Sequence, residues 1–129
     1  MTLWTYVIAG ILALHGLGHA GGPWFMRRSW IAPRITNSPA RWLFIGEWFA
    51  AGILFVIAAL SLMGILNSTL PPKAWRAVAV LGALLSGQPA VMYANAHDGR
   101  PLFNAITVDF AVLFALLLFD WPPLSLVGA

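Results

Sequence analysis

The chain has no cysteine, which removes disulfides, thiol catalysis, iron–sulfur clusters and thiolate-bound zinc together. Charge is almost as scarce. Seven Lys/Arg and four Asp/Glu make up 9% of 129 residues, against roughly 25% in a soluble globular domain. What remains is apolar: 60% of the residues are hydrophobic and the mean hydropathy is +0.83. This composition predicts an integral membrane protein, long enough for several spans and too short for a separate soluble domain. The formal net charge is +3, but most arginines fall in one stretch. That distribution reads as membrane topology and excludes a nucleic-acid partner.

Four spans are predicted, at about 3–24, 39–66, 71–96 and 101–119, forming an all-α, up-down four-helix membrane bundle. The first span contains no Lys, Arg, Asp or Glu. It lacks the basic start of a cleaved signal peptide and is too long an apolar run to be one. Asn37-Ser38-Pro39 and Pro101 supply helix starts, because proline's missing amide costs nothing in a first turn. Pro89 inside the third span predicts a kink. Arg27, Arg28, Arg34, Arg41 and Arg100 lie on one side of this topology, and only Lys73 and Arg76 on the other. The excess of basic residues faces the cytoplasm, so both termini are expected outside. Tryptophans mark the same two surfaces: Trp4, Trp75 and Trp121 an outer belt, Trp24, Trp30 and Trp42 an inner one. Trp48 fits neither.

Against this background the stretch Leu14-His15-Gly16-Leu17-Gly18-His19-Ala20-Gly21-Gly22 stands out. At helical spacing both imidazoles share one face, and ionisable groups inside an apolar run are costly unless they serve a purpose. Glu47 lies about 7 Å below Trp42 at a rise of 1.5 Å per residue, and Asp109 about eight residues into the fourth span. Together with Gln88, Asn95, His97 and Asn104, these residues occupy the cytoplasmic half of all four walls. Small residues accompany them. Gly18 and Gly22 form a predicted packing edge on the first helix, Ala50, Ala51, Ala58 and Ser61 share a face with Glu47, and Ala79, Gly82, Ala83, Ser86, Ala90 and Ala94 line the third helix. Phe103, Phe110 and Phe114 make a large apolar face on the fourth.

The sharpest chemical reading is a metal site. Histidines at i and i+4 offer two imidazoles to one ion, and Glu47 and Asp109 can complete a nitrogen–oxygen shell suited to zinc or non-haem iron. Spacing alone is weak evidence, and Gly16 stands where a zinc protease carries its glutamate. The plainer reading is that the histidines hydrogen-bond the two carboxylates and fix helix packing. A proton or ion relay is a further reading, although four spans are few for a transport path without oligomerisation. A haem held by His19 and His97 is disfavoured, since His97 lies beside a loop. A pocket for an apolar molecule, walled by Tyr6, Trp48, Phe49 and Tyr93, completes the alternatives. That last reading includes a membrane enzyme acting on a lipid-like substrate.

Leu14-His15-Gly16 followed by His19 and Gly22, Trp75 opening the third span, Pro89 within it and Asn104 in the fourth together resemble a widespread group of small, functionally uncharacterised four-span bacterial membrane proteins. The general plan is also similar to that of the DoxX-like four-helix membrane proteins. The resemblance implies the bacterial inner membrane and a four-helix bundle, and it brings no catalytic residues with it. The expected partners are the lipid bilayer and either further copies of the chain or a larger membrane complex.

Overall fold

A computed structural model describes residues 1–25, 39–71, 73–92 and 100–127, with side chains at 1–20, 42–71, 73–87 and 106–127. The described residues are helical and contain no strand: α1 Leu3–Phe25, α2 Pro39–Leu62, α3 Ala74–Met92, α4 Arg100–Leu113, a π-turn Phe114–Leu118 that extends α4, and a short α5 Leu124–Val127. Two segments, Leu3–Ala20 and Trp42–Leu62, are long and apolar enough to cross a membrane. Ala74–Gly87 and Ile106–Leu118 are shorter apolar helices. α1 packs on α2, α2 on α3 and α3 on α4, while the backbones of α1 and α4 approach far less than these pairs.

Each helix begins or ends for a local reason. Thr2 and Thr5 make a reciprocal capping pair in which the Thr5 amide donates to Thr2 Oγ1 at 3.3 Å and the Thr2 amide to Thr5 Oγ1 at 3.1 Å. Pro39 is the first residue of α2 and Pro101 the second of α4, where an absent amide proton leaves no helical bond unmade. α2 stops at Leu62, earlier than the predicted 66. Gly64 adopts φ +73° and its amide donates to the Ser61 carbonyl at 2.9 Å, while Ile65 donates to Leu60 at 3.0 Å. This paired closure needs a left-handed residue, a role glycine fills without a Cβ penalty. α3 accordingly starts at Ala74 and not at 71, and it runs on through Pro89.

One end of the molecule is tied together by polar contacts. The Thr2 hydroxyl donates to the Leu126 carbonyl at 2.5 Å and the Thr5 hydroxyl to Val127 at 2.6 Å. Arg76, at the start of α3, pairs with the Asp120 carboxylate and donates to the Pro122 carbonyl. The start of α1, the start of α3 and the chain after α4 therefore meet here, which makes α1 and α4 run antiparallel.

Small residues fill the interior and large ones cover the outside. Ala51, Ala58, Ala79 and Ala83 are wholly buried, whereas Leu14, Leu17 and Leu43 are 73%, 60% and 61% exposed. Alanine faces let backbones approach, and the buried rings of Phe55 and Trp75 fill the space they leave. Trp75 therefore departs from the predicted outer belt. It is 1% exposed, in the core with Ile8 and Leu12, while Trp4 and Trp121 remain exposed.

A candidate metal centre of two histidines and an aspartate

The site depends on how closely α1 and α2 cross. A Cβ on Gly16 would lie 2.6 Å from the Gly52 carbonyl oxygen, and one on Gly52 would lie 2.7 Å from that of Gly16. Only glycine at both positions permits this crossing. The predicted packing edge at Gly18 is corrected accordingly: a Cβ there meets nothing within 4 Å. The contact face of α1 is set by Gly16, one residue from His15 and three from His19. Gly22 has no described side-chain surroundings.

α2 answers the histidines with aromatic rings. Trp48 packs on His19 with ring centroids 5.3 Å apart, and Phe55, fully buried, lies edge-on to His15 at 4.7 Å and stacks on His19 at 5.9 Å. Trp48 and Phe55 are seven residues apart, two helical turns, and so share a face. This explains why Trp48 suits neither tryptophan belt. Glu47 is one position round the helix, half-buried, and it is not among the groups whose donor atoms converge.

Three donors do converge. His15 Nε2 lies 2.7 Å from Asp109 Oδ1, His19 Nε2 lies 3.0 Å from His15 Nε2, and His19 Nε2 lies 3.7 Å from Asp109 Oδ1. His15 side-chain exposure is 11%; that of His19 and Asp109 is 2% each. Ser86 on α3 donates its hydroxyl to Asp109 Oδ2 at 2.5 Å and lies 3.2 Å from His19 Nε2. Three helices thus contribute to one small cluster. Residue type and spacing do not mark Ser86 or Phe55 as site residues. Ser86 was visible as the one hydroxyl in the small-residue stripe of α3, and Phe55 as the ring two turns beyond Trp48.

Protons satisfy this geometry only in part. If both imidazoles carry hydrogen on Nε2, His15 donates to Asp109, His19 donates to Ser86, and two N–H groups stand 3.0 Å apart with no acceptor between them. If His19 carries it on Nδ1, its Nε2 can accept from His15, but Nδ1 is buried and has no hydrogen-bond partner among the described residues. A cation between the three atoms replaces the opposed N–H groups with three attractive contacts; since both rings would then ligate through Nε2, the buried Nδ1–H of His19 has no described partner in that form either. Ligands on about 2.0 Å bonds stand roughly 3.3 Å apart in a tetrahedron and about 2.9 Å apart on an octahedral face. The observed edges, 2.7, 3.0 and 3.7 Å, span both values.

Of the other predicted polar groups, Asn95 and His97 lie outside the described residues, and Gln88 and Asn104 fall on α3 and α4 without described side chains. Of the walls expected for an apolar pocket, Tyr6 and Phe49 are 54% and 45% exposed, and Trp48 is buried against His19. Tyr93 lies outside the described residues. Comparisons of the chain with protein-family models, curated proteins and solved structures gave no match.

Proposed function

We propose that the protein is a membrane protein that binds a divalent transition metal through His15, His19 and Asp109 inside a four-span bundle. The observation that carries the reading is the convergence of His15 Nε2, His19 Nε2 and Asp109 Oδ1 within 2.7–3.7 Å of one another in a buried setting. Two imidazoles and one carboxylate suit zinc with an open position, and they are also the facial set of non-haem ferrous iron. Ser86 acts behind the carboxylate: its hydroxyl occupies Oδ2 and leaves Oδ1 for the ion.

The membrane setting is supported by two helices of spanning length and apolarity and by an exterior of leucine, isoleucine and phenylalanine around an alanine-rich interior. With four spans and the arginine-rich connections in the cytoplasm, both termini face outward across the bacterial inner membrane. The metal then lies within the bilayer, reached from protein or lipid rather than from open water.

Metal analysis of detergent-purified protein, supplied with zinc or ferrous iron, tests the assignment and identifies the ion. One metal per chain in the wild type, lost in Asp109→Asn and in His19→Ala while their helical circular dichroism persists, is the expected result. A folded wild type that takes up neither ion overturns it.

A further inference from the structure

Between α1 and α4 runs a half-open groove of about 340 Å³, within the range of small-ligand pockets. Trp4, Ile11 and Leu12 wall it on α1, and Val108, Ala111 and Ala115 on α4. The groove exists because the backbones of α1 and α4 stay apart. Ile11 and Leu12 precede His15 by four and three residues, one helical turn, and Val108 adjoins Asp109. The 2.7 Å bridge between His15 and Asp109 lies one helical turn beyond the last lining residues of α1. His15, the least buried of the three ligating groups, stands at that end.

We propose that this slot holds the alkyl chain of a single-chain carboxylate amphiphile, a fatty acid, whose carboxylate takes the open position on the metal. The inference rests on the metal assignment above. Shape and polarity select the chain: the walls are almost entirely carbon, and a water there would need roughly two to four polar partners. From Trp4 to Leu12 the slot runs about 12 Å at 1.5 Å per residue, the length of a roughly ten-carbon chain. Charge selects the head. A dication on two neutral imidazoles and one ionised carboxylate carries one net positive charge. In a low-dielectric interior that charge is costly until a monoanion joins it. A carboxylate supplies the anion, and neither an ester nor an alcohol does.

The test uses full-length protein in lipid nanodiscs loaded with Co²⁺, whose visible absorption responds to a change of ligand. Titration with dodecanoate is expected to change the spectrum and to saturate at one per chain, while methyl dodecanoate leaves it unaltered. Ala111→Trp, which fills the slot away from the ligating atoms, should keep stoichiometric Co²⁺ yet raise the dodecanoate midpoint at least roughly tenfold, the bulk being felt where the chain packs. Ala115→Leu repeats the test with a smaller intrusion. A cobalt-loaded wild type indifferent to dodecanoate overturns this inference and leaves the metal assignment standing. That is also the result if a bilayer phospholipid chain holds the slot. An equal response to the ester, or in both slot variants, overturns it too. A wild type that binds no cobalt, zinc or iron overturns both.

Discussion

Ser86 is the residue on which the centre's precision depends most, although it does not touch the proposed ion. Its hydroxyl lies 2.5 Å from Asp109 Oδ2, so it fixes which oxygen points at the histidines. Removing such a supporting contact weakens metal binding by roughly 10- to 100-fold. We expect Ser86→Ala to do so in competition with a calibrated chelator, with unchanged helical content and stoichiometry. An affinity equal to the wild type would show that the carboxylate is oriented without it. At this scale His15, His19 and Asp109 were legible in the sequence, because an ionisable group in an apolar helix is conspicuous. Glu47 was equally conspicuous, but its distance from the cluster depends on the rotation of α2, which spacing within one helix does not encode. Ser86 was hidden by its size: among Ala79, Gly82 and Ala83 it reads as one more small packing residue.

Among the elements, the α1–α2 crossing decides whether the site can form. Gly16 and Gly52 each stand where a Cβ would collide with the other's carbonyl oxygen, so Gly16→Ala must push the helices apart. Overpacking of this kind costs about 1–3 kcal/mol. Gly18→Ala meets open space and is expected to be neutral or to stabilise by up to about 1 kcal/mol through helix propensity. Thermal unfolding in one detergent measures the pair. Equal midpoints would remove the close crossing as a determinant of stability. Both glycines lie in the same short motif, and small-residue spacing pointed to Gly18 with Gly22 as the packing edge, not to Gly16. The choice is made by α2, whose own glycine is at 52. The starts of α2 and α4 were readable, since Pro39 and Pro101 act through their own chemistry. The end of α2 was placed late because Ile65 and Leu66 continue the apolar run, while the left-handed Gly64 had already ended the helix.

At the scale of the whole molecule, leucines lie outward and alanines inward, and two helices are long and apolar enough to cross a membrane, which the apolar composition made legible from the start. The direction of the bundle is testable because the chain lacks cysteine. Single substitutions Ser68→Cys and Ser125→Cys in intact bacteria should react with a membrane-impermeant maleimide, whereas Ser29→Cys should react only after the membrane is opened. The reverse pattern would invert the orientation. The order of neighbours around the bundle was not legible, because sequence spacing does not say which faces of separate helices meet. The π-turn at Phe114–Leu118 was not legible either, since five apolar residues fit either winding. It lies between the two places where α4 and its extension are fastened to the rest of the protein: Asp109 to His15 and Ser86, and Asp120 to Arg76. The looser winding lies in that stretch, beside the slot and with Leu116 seated on the core, so it turns the chain between Asp109 and Asp120 without leaving the packed interior.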